Sequence, residues 1–67
     1  MITAKKIDEE VYPDIKMGRE YEVEDVREYI FFKGNKRHYR PIHFNLFKDG
    51  KKITVESARC YVILERN

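Results

Sequence analysis

Apolar residues recur with a period of two over most of the chain, and that period predicts strands. Residues 2–7 (ITAKKI) put Ile2 and Ala4 on one face and Ile7 on the other. A bulge, or a strand ending near Lys6, reconciles them. Residues 19–26 (REYEVEDV) carry Tyr21 and Val23 on one face and point Glu20, Glu22 and Glu24 outward. Val26 breaks the alternation, which places a bulge near Glu24 and Asp25. A short helix through EVEDVREYIFF is the alternative, and the β-rich residues that follow argue against it.

Residues 29–55 (YIFFKGNKRHYRPIHFNLFKDGKKITV) organise the rest: two hairpins share one long middle strand. Asp49-Gly50 reads as a two-residue type I′ turn. It pairs Lys48 with Lys51, Phe47 with Lys52, Leu46 with Ile53, Asn45 with Thr54, Phe44 with Val55 and His43 with Glu56. Ile42, Phe44, Leu46, Ile53 and Val55 then face inward, and a one-residue slip would scramble both faces. The hairpin at Gly34-Asn35 allows two registers. A two-residue turn sets Phe31 opposite His38, whereas a three-residue loop sets Phe32 there, and apolar groups lie on both faces either way. Pro41 has no N–H to give a ladder, so a bend is expected at Pro41, with residues 32–39 reaching past the core.

Residues 8–18 form a loop by composition, with Pro13 and Gly18. Val11, Tyr12, Ile15 and Met17 are too apolar for a free loop, so it is expected to fold over one end of the core. Tyr12 precedes a proline and is expected to be extended. Residues 57–60 (SARC) suit one turn of 3₁₀-helix. Residues 61–64 (YVIL) read as a closing strand, and 65–67 as a solvated end. The expected fold is a single all-β domain over 1–67, a small five-stranded antiparallel barrel.

Two stretches resemble a known family. Residues 14–23 (DIKMGREYEV) look like the hydrophobic-x-x-Gly-x-x-Tyr-x-Val entry of small SH3-like proteins of bacteriophages and prophages. Residues 57–62 (SARCYV) resemble the end of SH3 domains, where a 3₁₀ turn leads into a Tyr-Val strand. The resemblance implies an SH3-like barrel and an accessory protein of a phage or prophage. It does not imply a proline-rich-peptide groove. The chain has no Trp and no ALYDY-like segment, and only Tyr61 would match a groove residue.

Composition narrows the function. At 67 residues the chain buries only about 60% of its unfolded surface, so its core is small. Residues 1–28 carry net charge −4 and residues 29–67 carry +6, leaving +2 overall, well short of a dedicated nucleic-acid binder. One cysteine, Cys60, makes no internal disulfide, which fits a reducing, cytoplasmic setting. No apolar run approaches the roughly 18 residues of a membrane span, and the N-terminal stretch has no signal-peptide h-region.

His38, His43 and Cys60 are the soft metal ligands. The two histidines fall on opposite faces of a regular strand, whereas zinc needs three or four convergent ligands, so no metal or cofactor is expected. Cys60 has no orienting partners for nucleophilic work and reads as a small buried residue. The glutamates at 20, 22 and 24 read as a solvated edge that resists strand addition. Phe31, Phe32, Lys33, Lys36, Arg37, Tyr39 and Arg40, with Phe47, Lys51 and Lys52 beyond them, form the one basic–aromatic cluster. Such a set suits a protein hot spot, and alternatively stacks bases and neutralises phosphates. The expectation is a non-enzymatic binding module that takes a protein partner first and nucleic acid second. An edge strand leaves homo-oligomers open.

Overall fold

The Asp49-Gly50 turn sets the geometry of one end of the sheet. Both residues have positive φ, 50° and 84°, as a type I′ turn requires. In the computed structural model, which describes residues 1–66, the turn joins β5 (Phe44–Lys48) to β6 (Lys51–Ile53). The pairs are Lys48/Lys51, Phe47/Lys52 and Leu46/Ile53, as predicted. The three further predicted pairs do not form, because the chain leaves the sheet at Thr54.

From there it runs as one α-helix, α1 (Val55–Arg66), and this overturns the expected 3₁₀ turn and closing strand. Thr54 is the local cause. Its Oγ1 accepts the Ser57 backbone N–H at 3.1 Å and its carbonyl accepts that of Ala58 at 3.0 Å, capping the first turn. Glu56 adds an acid to that turn, where the helix dipole favours it. Ala58 and Val62, one turn apart, are buried in the core. Glu65 is exposed, as expected of a solvated end, but lies within α1; Asn67 lies outside the described residues.

The other strands are β1 (Ile2–Lys6), β2 (Glu20–Val26), β3 (Ile30–Phe32) and β4 (His38–Tyr39). These strands pair antiparallel, in the order β4-β3-β2-β1-β5-β6, and one isolated parallel bridge joins Lys6 to Met17. The sheet is open and six-stranded, not a closed five-stranded barrel. The edge strands have two and three residues, too little for them to pair and close the sheet. The helix, packed on β2, β5 and β1, takes the place of the expected closing strand. The register shift between Val23 and Asp25 is the predicted bulge. β2 is an interior strand, so its glutamates line a solvated face and not an edge. Glu20 accepts from Thr3 Oγ1 at 3.0 Å, and Glu22 pairs with Lys33 at 3.2 Å.

The core side of the sheet carries Ile2, Ala4, Val23, Val26, Ile30, Phe32, Tyr39, Phe44 and Leu46, all buried. The helix joins this core through Ala58 and Val62, and residues 8–18 join it through Ile15, with Tyr12 packed against it. Lys6 falls on the same side of the sheet by alternation and is only 4% exposed. Its ammonium donates to the carbonyls of Val11 at 2.7 Å and Tyr12 at 2.9 Å, pinning the loop to the sheet. Tyr12 is not extended: its φ is 49°, and its carbonyl also accepts the Ile15 N–H at 2.9 Å. These two bonds and the ring packing outweigh the local preference set by Pro13.

The bend at Pro41 is a 3₁₀ turn, Pro41–His43. It turns Ile42 out to 74% exposure, against the inward placement predicted for it. His43 consequently meets Asp8, at 3.3 Å, rather than Glu56.

Candidate partner-binding surface

The β3–β4 hairpin pairs Ile30 with Tyr39 and Phe31 with His38, the register of the two-residue alternative. The connection itself is wider. A β-turn closes from the Asn35 N–H to the Phe32 carbonyl at 3.2 Å, with Gly34 at φ 77° in its third position. Asn35 Oδ1 then accepts the Arg37 N–H at 2.9 Å.

This register divides the seven predicted residues. Phe32 and Tyr39 point into the core, at 2% and 0% exposure, and are removed from the candidate surface. Phe31 lies half-buried on the outer face, and Lys33, Lys36, Arg37 and Arg40 are exposed. Phe47 and Lys52 lie opposite each other on the outer face of the β5–β6 hairpin, at the far side of the sheet, and with Lys51 they do not join the cluster.

Three residues missed in the sequence complete the outer face. The Tyr29 and His38 rings meet edge-to-face with centroids 4.5 Å apart, and Phe31 lies 6.0 Å from His38. The Arg27 guanidinium covers the Phe31 ring at 5.6 Å. Alternation through 29–31 was the available signal for Tyr29, but it needed the face of Phe31 to be known first.

Charge around these rings is largely balanced. Arg27 pairs with Asp25 at 2.7 Å, Lys33 with Glu22 at 3.2 Å and Arg37 with Asp14 at 3.4 Å. Lys36 and Arg40 have no carboxylate partner among the described residues.

Beneath this surface, Tyr39 anchors the hairpin to the loop. Its hydroxyl donates to Asp14 Oδ2 at 2.5 Å and accepts from Asn35 Nδ2 at 2.9 Å. Burial, followed by the bond to Asp14, raises the phenol above its ordinary value. The Tyr39 hydroxyl in turn holds the Asp14 carboxyl below its ordinary value, with Arg37 adding to the effect. From the loop, the Tyr12 hydroxyl accepts the Arg40 backbone N–H at 2.9 Å, fixing the end of β4.

No group of three or more His, Cys, Asp or Glu side chains among the described residues is arranged to hold a metal ion. Cys60 is exposed on α1, not buried. No helix is long and apolar enough to cross a membrane among the described residues. No known protein family, curated protein or solved structure matches this chain.

Proposed function

We propose that this protein is a small non-enzymatic interaction module that docks a protein partner on the outer face of the β3–β4 hairpin. Tyr29, Phe31 and His38 form the centre, with Arg27, Lys36 and Arg40 around it. The supporting observation is that these rings lie on the solvent side while most neighbouring cations already hold carboxylates. Aromatic and arginine side chains anchor protein interfaces. A phosphate backbone requires several cations free to release counterions, and only Lys36 and Arg40 meet that condition here. The partner surface this fits is apolar at its centre and carries one or two carboxylates at its rim. The resemblance of residues 14–23 to phage and prophage proteins supports an accessory role on a host protein.

The test pairs a capture experiment with a titration. Immobilised protein is expected to retain a host protein that Phe31→Ala and Arg40→Ala fail to retain and Lys52→Ala still does. Fluorescence anisotropy with single-stranded and duplex oligonucleotides is expected to show no binding at low salt. Oligonucleotide binding that falls steeply with salt and is lost in the Arg40 variant would replace this reading with the nucleic-acid one.

A further inference from the structure

β6 ends the sheet and has no strand on its far side among the described residues. That open side has a definite bonding pattern. The two-residue turn makes Lys48/Lys51 a hydrogen-bonded pair, and bonded and non-bonded pairs alternate along an antiparallel ladder. Lys52, opposite Phe47, is therefore the residue that turns its N–H and C=O away from β5. Side chains alternate as well, so Lys52 lies on the outer face, and Lys51 and Ile53 lie on the core side.

Both sides of this edge can hold a side chain. On the core side, a cleft of about 260 Å³ is lined by Lys48, Asp49, Lys51, Ile53 and Tyr61. Ile53 and Tyr61 are half-buried against the core and give the cleft an apolar wall. Asp49, the acid on this cleft, already pairs with Lys48 at 3.6 Å. On the outer face, Phe47 lies opposite Lys52, and Lys5 Nζ sits 5.5 Å from the centre of the Phe47 ring. Lys5, Lys51 and Lys52 have no carboxylate partner among the described residues. The edge thus combines a backbone donor and acceptor, an apolar recess and uncompensated cations on both faces.

We propose that the β6 edge takes an extended acidic segment of a partner protein as a seventh, antiparallel strand. In strand addition, main-chain bonds supply the pairing and alternate side chains the selectivity. The partner residue opposite Lys52 exchanges both backbone bonds with it and lays a carboxylate beside the Lys52 ammonium. The residue after it stands beside Lys51 on the core side and is also acidic. The residue before it is apolar and enters the cleft at Ile53 and Tyr61. From its N-terminus, the segment reads apolar–acidic–acidic. Lysines on an edge deter indiscriminate pairing, and an acidic strand is the one they deter least. A second β6 would set lysines against lysines. A nucleic-acid strand would use the cations but leave the backbone pair and the recess empty. This edge is at the other side of the sheet from β3 and β4, and the proposal does not depend on the function assigned to their outer face.

An amide NMR titration with the peptide STVEET tests this. Shifts are expected to concentrate on residues 51–53 and Tyr61, with binding at least fivefold tighter than that of the scrambled peptide EVSTET. Lys52→Glu should weaken binding at least fivefold, and because Lys52 is exposed the variant should keep the wild-type circular dichroism. Lys16→Ala, which removes a cation from the loop, should bind as wild type does. N-methylation of the first glutamate keeps every charge but removes the N–H that would bond the Lys52 carbonyl, and should also weaken binding at least fivefold. No binding of STVEET up to about 1 mM would overturn the proposal. So would equal binding of the scrambled or N-methylated peptide, or a loss in Lys16→Ala as large as in Lys52→Glu. A single-stranded oligonucleotide that binds through Lys52 in place of the peptide would overturn it too.

Discussion

The two sides of the β3–β4 hairpin are both aromatic, yet they do different work. On the inner side, Phe32 and Tyr39 meet at 5.3 Å, and both contact rings carried by other elements. Phe32 lies 5.5 Å from Phe44 of β5, and Tyr39 lies 4.8 Å from Tyr12 of the loop. On the outer side, the ring–ring and cation–ring contacts of Tyr29, Phe31 and His38 among the described residues are with one another and with Arg27, all within or beside the same hairpin. The inner rings join three parts of the chain that are distant in sequence. The outer rings make no ring contact with a distant element among the described residues, and their exposed surface faces solvent. A residue's type therefore does not assign it to scaffold or site; the reach of its contacts does.

Substitutions can break this contrast in descending order of effect. Phe32→Ala removes a buried ring and should cost about 3–5 kcal/mol. That is enough to unfold much of a domain this small, and urea denaturation would record it. Tyr39→Phe keeps the ring and loses the hydroxyl bridging Asp14 and Asn35, so a smaller loss of about 1–2 kcal/mol is expected. Phe31→Ala should cost about 1 kcal/mol or less, because the ring is only half-buried, while reducing partner capture at least tenfold.

The Asp14–Tyr39 bond adds a prediction in pH. Asp14 is lowered from 3.8, chiefly by the Tyr39 hydroxyl. Its contribution is therefore present above that value and lost as pH falls through the lower folded one. Tyr39 is raised from 10.0, first by burial and then by Asp14. Its contribution is full below that value and lost as pH climbs through the raised one. Thermal melts of the wild type should show both limbs. In Asp14→Asn the part of the acid limb due to Asp14 should vanish. The alkaline limb should shrink but persist, because burial of the phenol remains.

Much of the sheet was legible because its signals are local and polar residues mark them. Asp49-Gly50 fixed three pairs, Val26 out of phase marked the bulge, and Pro41 marked the bend. The C-terminal helix was not legible from its apolar residues. Residues 61–64 are apolar without a break, and such a run has no period to distinguish helix from strand. Its start signal was divided: Thr54 and Glu56 lay inside what alternation read as a continuing strand, and Ser57 opened the stretch read as a 3₁₀ turn. The site was half legible for a similar reason. Residues 29–32 (YIFF) contain no polar residue to mark the outer face. The division between Phe31 and Phe32 is set by a long-range fact, the pairing of Phe32 with Val23 on the near side of the bulge. Lys6 shows the reverse case: its position in the alternation pointed inward, and only the carbonyls of a folded-back loop make burial of its ammonium tolerable.

The central claim is that the outer rings bind while the inner rings fold the protein. The most direct test measures Phe31→Ala twice, by urea denaturation and by partner capture against the wild type. The account predicts stability within about 1 kcal/mol of wild type and capture reduced at least tenfold. A variant that unfolds like Phe32→Ala, or one that stays folded and captures the partner as well as wild type, would contradict it.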